Sequence, residues 1–108
     1  MSSEQRIEKL NALLEKDPND TFSRYALALE HSGKNEPAAA VEILEELLKR
    51  DPNYLPAYHQ LGQILGKLNR TAEAKNAYRS GIDLAMKQND EKTAKEIREE
   101  LEELEDEW

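Results

Sequence analysis

The side chains of this sequence that could bind a metal or transfer protons are two histidines and 23 carboxylates. Two metal ligands on one turn of a helix must lie three or four residues apart. Neither His31 nor His59 has Asp, Glu or Cys three or four residues after it, and the sequence contains no Cys. It also lacks a Gly-rich phosphate loop, a Gly-x-Ser-x-Gly elbow and a His-Glu-x-x-His motif. We therefore predict no catalytic residue, no metal site and no cofactor, and we assign both histidines a structural or binding role.

Helices are the elements that must position these side chains. Ala, Glu, Lys, Leu and Arg supply 59 of the 108 residues, a composition typical of long helices, coiled coils and helical repeats. β-Branched and aromatic residues are few, so an all-β or doubly wound α/β fold is excluded. The length fits a single domain with one core.

Charge and hydropathy narrow the class of partner. The chain carries 15 basic and 23 acidic side chains, a net charge of −8, whereas nucleic acid is bound through an excess of Lys and Arg. Residues 91–108 alone contribute nine of the acids and only three of the bases. No apolar stretch approaches the roughly 20 residues that span a bilayer, and the N-terminus lacks the pattern of a secretory signal. We expect a cytoplasmic protein that binds neither nucleic acid nor membrane.

A repeat of 34 residues runs through the sequence. The tripeptide 17–19, Asp-Pro-Asn, recurs at 51–53, and each Pro marks a corner because the residue before a proline is disfavoured in a helix. Four further identities fall at the same offset, namely Leu27 with Leu61, Asn35 with Asn69, Ala38 with Ala72 and Ala40 with Ala74. The register therefore favours a repeat array over a bundle or a coiled coil.

One stretch carries a family pattern. Residues 58–65 read Tyr-x-x-Leu-Gly-x-x-Leu, and Ala74, Tyr78 and Gly81 follow them. This pattern and its period resemble the tetratricopeptide repeat. The resemblance implies an all-α fold, a right-handed solenoid of antiparallel helix pairs, and a single domain over residues 1–108. The parts that it predicts are a half-repeat helix at 3–16, full repeats at 21–54 and 55–88, and an acidic capping helix at 91–107.

Apolar spacing and stop signals give the helices themselves. They predict helices over residues 3–16, 20–33, 37–50, 54–67, 71–87 and 91–107. Pro37 suits the first position of a helix, and Thr71 is the expected N-cap of the corresponding helix one repeat later. Gly62 and Ala28 are expected to be small so that their helices can approach Ala74 and Ala40.

The helix at 20–33 has a second apolar stripe, formed by Phe22, Tyr25 and Leu29. In the family that this chain resembles, the first helices of the repeats line a concave groove that receives a peptide. By register, the groove residues of the next repeat are then His59, Gln63 and Lys67. The alternative is that the chain's own helices, such as the last one, cover the stripe. The carboxylate clamp of one subfamily is absent, because Tyr25, Leu29 and Gln60 occupy its positions.

The last predicted helix carries an apolar seam with spacings of four, three and four residues: Ile97, Leu101, Leu104 and Trp108. One interpretation is a cap that covers apolar surface left by the preceding helix. The other is a homodimer contact, which two short and like-charged heptads do not favour. We therefore predict a monomeric, non-enzymatic adaptor that binds a peptide of another protein in the groove, with structural self-association through the last helix as the alternative.

Overall fold

The computed structural model describes residues 1–106 of the chain. Within that range the backbone forms no strand and six helices, which are α1 (Ser3–Lys16), α2 (Thr21–Gly33), α3 (Pro37–Arg50), α4 (Leu55–Lys67), α5 (Thr71–Lys87) and α6 (Glu91–Asp106). The predicted bounds differ at two starts, because Asp20 and Tyr54 are N-caps rather than the first helical residues. The predicted final residue of the last helix, 107, lies outside the described residues.

The helices are arranged in two compact units, residues 1–52 and the residues from Asn53 onward. In the first unit α2 packs against both α1 and α3, and in the second α5 packs against both α4 and α6. Packed helices joined by connections of only a few residues run antiparallel, so each unit is built from antiparallel helix pairs. The all-α helical repeat is confirmed, and the single domain over the whole chain stays a prediction.

Three helices end in the same way. Asn35, Asn69 and Asn89 follow α2, α4 and α5 with φ values of 61°, 61° and 58°, in the left-handed region that Asn tolerates better than most residues. After each Asn, the next backbone N–H reaches five residues back, as in Glu36 N–H to the His31 carbonyl at 2.9 Å. This bond closes a Schellman motif. The left-handed conformation that the motif requires explains why both repeats have Asn at this position, Asn35 and Asn69.

The N-termini of the helices show three kinds of stabilising feature. The Ser2 hydroxyl and the side chain of Gln5 form a reciprocal capping box at α1. Asp20 and Asp90 accept backbone N–H groups at the starts of α2 and α6. Pro37 occupies the first turn of α3, as predicted. The prediction that Thr71 is an N-cap is wrong. Thr71 is the first residue of α5, and the N-cap is Arg70, whose side chain makes no capping hydrogen bond. A Thr71 cap would require α5 to begin one residue later.

The second unit has a well-defined apolar core that includes α6. The buried cluster that contains α6 residues consists of Leu55, Tyr78, Leu84, Ala85, Ala94, Ile97 and Leu101. A Cβ added at Gly62 would meet the ring of Tyr78, with Cδ1 at 2.5 Å and Cζ at 2.9 Å. The expected close approach of Gly62 to Ala74 stays a prediction. In the first unit, the same register positions hold Ala28 and Leu44, both fully buried.

Candidate protein-binding surfaces

The first candidate lies on α2 and consists of Phe22, Tyr25 and Leu29, which we call the α2 surface. Phe22 is 71% exposed and Leu29 39% exposed, while Tyr25 is half-buried. The opposite face of α2 is buried through Ser23, Leu27 and Ala28. Positions 22 and 29 are two turns apart, about 10 Å along the axis, and point in nearly the same direction. Among residues 1–106 no helix therefore covers Phe22 or Leu29, contrary to the alternative in which the stripe is hidden.

The end of α2 is held by polar contacts that do not involve this surface. His31 Nδ1 lies 2.8 Å from a carboxylate oxygen of Glu36, so this imidazole fixes the turn before α3. At the start of α2, the Arg24 guanidinium donates to the Pro18 carbonyl at 2.5 Å, and Arg50 donates to the same oxygen at 3.2 Å. Arg24 stands where the second repeat has Tyr58, and its contact shows that it stabilises the Asp-Pro corner.

The second candidate joins all three helices of the second unit around one carboxylate. His59 Nε2 of α4 lies 2.5 Å from Oε2 of Glu100 on α6. The Gln63 amide donates to Oε1 of Glu100 at 2.8 Å, and the Tyr78 hydroxyl of α5 donates to the same oxygen at 3.3 Å. We call these four residues the Glu100 cluster. Two of them, His59 and Gln63, were predicted as groove residues; the structure brings them together and pairs both with a residue that the sequence did not single out.

Burial controls the chemistry of this cluster. Tyr78 is 5% exposed, and burial, followed by the negative charge of Glu100, raises the pKa of its phenol far above the ordinary value of 10.0. The phenol therefore remains protonated and acts as a hydrogen-bond donor at neutral pH. The side chains of His59 and Glu100 keep exposures of 21% and 29%, so water reaches one side of the cluster.

Lys67 lies beside the cluster and has no ion pair among residues 1–106. It is exposed at the end of α4, next to a cavity of about 490 Å³. The residues that line this cavity come from all three helices of the unit: Gln63, Gly66, Lys67, Tyr78, Glu100, Glu103 and Leu104. The Lys67 ammonium group and the Gln63 amide group thus line the same open cavity at the end of α4.

The apolar seam of α6 packs inside its own unit. Ile97 is fully buried, Leu101 is 8% exposed, and Leu104 packs half-buried against the same core. Glu100 and Glu105 flank this seam on either side, and Glu105 is paired with Arg79 at 3.1 Å. The remaining predicted seam residue, Trp108, lies outside the described residues. Self-association through the seam and the capping role of α6 both stay predictions, and in this structure Ile97 and Leu101 are buried in the core of their own unit.

Two classes of site are not found among residues 1–106. They contain no group of three or more His, Cys, Asp or Glu side chains placed to hold a metal ion. None of the helices in this part of the chain combines the length and the apolar character that crossing a membrane requires.

Comparison with known proteins decides the family. A family model described as "Tetratricopeptide repeat" matches residues 1–104. The chain belongs to the tetratricopeptide repeat (TPR) family. A TPR domain protein from Salinibacter ruber is 36% identical, with a TM-score of 0.77 and coverage of 82% of this chain and 90% of that chain. Among curated proteins, none matches the sequence.

Two solved structures of low identity share the TPR fold closely. The type III secretion translocator chaperone SycD of Yersinia enterocolitica is 15% identical, with a TM-score of 0.87 over 95% of this chain and 72% of that chain. The TPR2B domain of yeast Sti1, solved as a complex with pHsp70, is also 15% identical, with a TM-score of 0.85 over 92% and 79%. TPR domains are in general non-enzymatic protein-interaction modules, and this chain is a protein-interaction module in that general sense.

Within the TPR register, the two candidates occupy equivalent positions. Tyr25 and Leu29 of α2 lie 34 residues before His59 and Gln63 of α4. One repeat therefore carries apolar groups at the positions where the other carries hydrogen-bonding groups. The sequence predicted these positions from the repeat period, but it did not predict Glu100, which is 41 residues from His59 along the chain.

Proposed function

We propose that this TPR chain is a non-enzymatic, cytoplasmic adaptor that binds a peptide segment of another protein. In the first unit the α2 surface would receive an apolar side chain of the ligand. In the second unit His59, Gln63 and Lys67 would contact polar groups of the ligand. The observation that carries the proposal is the exposure of Phe22, 71%, on a helix whose opposite face is well buried.

The α2 surface has the character of a binding patch. Large hydrophobic side chains more than a third exposed occur at only a few described positions, which are Met1, Leu13, Phe22, Leu29 and Met86. Phe22 and Leu29 share one stripe of α2, with Tyr25 between them. An exposed aromatic residue next to an aliphatic one is the kind of surface that dominates binding energy when a partner covers it.

The polar residues of α4 support a role in orientation. His59 and Gln63 offer ring and amide nitrogens, and Lys67 offers an ammonium group that pairs with no described residue. Precisely placed donors of this kind fix the direction of a ligand, whereas apolar contacts supply most of its affinity. The family relation supports protein binding in general, and the choice of these residues is our proposal.

The test begins with a displayed library of random peptides selected on the immobilised chain. The affinity of a selected peptide is then measured by fluorescence anisotropy for wild type and for a double variant, Phe22→Ser with Leu29→Ser. Loss of an aromatic anchor costs about 2 kcal/mol or more, so we expect binding at least about thirtyfold weaker.

A matched control distinguishes binding at the α2 surface from nonspecific binding to exposed apolar side chains. Leu13 is 42% exposed on α1 and Met86 51% exposed on α5, so Leu13→Ser with Met86→Ser removes similar apolar area elsewhere. This control variant should bind the peptide as wild type does. Equal affinity of wild type and a folded Phe22→Ser, Leu29→Ser variant would refute the proposal.

A further inference from the structure

We infer that His59, Gln63 and Tyr78 form a carboxylate-binding site whose internal ligand is Glu100, and that a partner segment with an acidic side chain binds by replacing this carboxylate. The inference rests on the proposed function, because it names the chemistry of the bound segment. It also assigns to α6 a role that the capping interpretation lacks, since α6 competes with the partner for the same donors.

The geometry around Glu100 is that of a bound carboxylate. Oε1 accepts from the Gln63 amide at 2.8 Å and from the Tyr78 hydroxyl at 3.3 Å, and Oε2 lies 2.5 Å from His59 Nε2. The donors come from two different helices and converge on both oxygens. Carboxylates are acceptors only, and a set of donors from several elements is what recognises them.

Glu100 can leave this site without the release of α6. The helix is anchored by Ala94, Ile97 and Leu101, which are buried in the apolar core. They lie on the face of α6 next to the one that carries Glu100. The Glu100 side chain itself is 29% exposed, so a change of rotamer moves its carboxylate into water. An incoming carboxylate would accept the same hydrogen bonds that Glu100 accepts, so the donors would keep a partner after the exchange.

The space next to the cluster admits an entering side chain, and its charged lining residues are Lys67, Glu100 and Glu103. The cavity of about 490 Å³ opens between the ends of α4 and α6, with Gln63 and Lys67 on one wall and Glu103 and Leu104 on the other. Lys67 has no ion pair within the described chain, so its ammonium is available to a second carboxylate or to the ligand backbone. In the proposed complex the acidic side chain takes the place of Glu100 among these donors with Lys67 beside it, and Leu104 contacts an apolar neighbour of that side chain.

The site is tested with acetate as the probe carboxylate. Glu100→Ala removes the internal ligand, and acetate is titrated into the full chain while NMR follows the His59 imidazole and the Gln63 side-chain amide. We expect saturable shifts of both groups in Glu100→Ala and a dissociation constant about tenfold higher or more in wild type, where Glu100 competes. Glu99→Ala, which removes an exposed acid from the same helix, should behave as wild type.

Each result decides the inference. Shifts that saturate in Glu100→Ala support it, provided that adding His59→Ala abolishes the shift of the Gln63 amide and that adding Gln63→Ala abolishes the shift of the His59 imidazole. A folded Glu100→Ala chain whose signals do not respond to acetate overturns it, and Glu100→Ser gives a second opened variant with the same expectation. Selected peptides should bind Glu100→Ala about tenfold more tightly if they are acidic and equally well if they are not. Failure of the proposed function is distinguishable, since it is judged by Phe22→Ser with Leu29→Ser.

Discussion

Replacement of Gly62 by Ala provides a direct test of how the second unit is packed. Gly62 lies in the interior of α4, where Ala is normally the better helix former by about 1 kcal/mol. Helix propensity alone therefore predicts a more stable protein. The structure predicts the opposite, because the added Cβ would overlap the ring of Tyr78, whose Cε1, Cδ1 and Cζ atoms are its nearest neighbours.

The size of the effect follows from what the ring would have to do. Two of the distances from the added Cβ to the ring are 2.5 and 2.9 Å, so the ring must move by about 1 Å to reach ordinary van der Waals contact. Tyr78 is 5% exposed and packs in the core that contains Leu84 and Ile97, which leaves little room. Overpacking costs about 1–3 kcal/mol, and we expect the upper end, for a net loss of about 2 kcal/mol.

Urea unfolding followed by far-UV circular dichroism measures this loss. Gly66→Ala is the matched control, because Gly66 lies one turn further along α4 and an added Cβ there meets nothing within 4 Å. This control should be slightly more stable than wild type. A Gly62→Ala variant as stable as wild type would refute the packing argument.

The first repeat suggests a rescue. It holds Ala28 and Leu44 at the register positions of Gly62 and Tyr78, and both are fully buried. The double variant Gly62→Ala with Tyr78→Leu reproduces that pair and should be at least about 1 kcal/mol more stable than the sum of the single effects predicts. Strict additivity of the two substitutions would show that the ring is not the source of the cost.

Three further predictions concern helix ends, acid stability and oligomeric state. Asn69 has φ 61°, so Asn69→Ala should cost about 1 kcal/mol in urea unfolding while Asn69→Gly should not; equal costs would contradict the left-handed cap. Bonds from the Thr93 backbone and hydroxyl lower the pKa of Asp90 below its ordinary value of 3.8, so its contribution is present above pH 3.8 and is lost as the pH falls through the lowered value. Asp90→Ala should therefore lower the urea midpoint at pH 7, with a gap to wild type that narrows below pH 3.8; a gap independent of pH would contradict this. Because Ile97 and Leu101 are buried within their own unit, light scattering at high micromolar concentration should give the 12.4 kDa of one copy, and a mass near twice that value would favour the homodimer.

Much of the fold follows from signals that act over one or two helical turns. Pro18 and Pro52 set the corners, and the 34-residue period fixes which positions of α2 and α4 are equivalent. Thr71 shows the limit of such signals, since a good capping residue is used as a cap only if the helix begins directly after it. The Asn after α5, Asn89, adopts the same left-handed conformation as Asn35 but lies outside the shared period, so the repeat did not reveal it.

Glu100 could not be predicted because its partners depend on how α6 packs on its unit. In the sequence it is one of nine acids after residue 90. One signal was available: on a helical projection, Glu100 and Glu105 border the seam of Ile97 and Leu101, whereas Glu99 and Glu102 lie farther from it. Acids that border a buried seam are held close to the neighbouring helices, and both of these find partners there.

The contrast between the two repeats then has a physical explanation. His59 and Gln63 occupy half-buried positions, where polar groups need partners, and in the second unit α6 supplies one carboxylate that satisfies both. Their register equivalents in the first unit, Tyr25 and Leu29, are a phenol and an aliphatic side chain, and next to them Phe22 is largely exposed. Burial of apolar surface contributes binding energy but does not fix the orientation of a ligand. Convergent hydrogen-bond donors fix that orientation but contribute less binding energy. We therefore expect a partner segment bound at α2 to gain mainly affinity, and one bound at the donors of the Glu100 cluster to gain mainly selectivity.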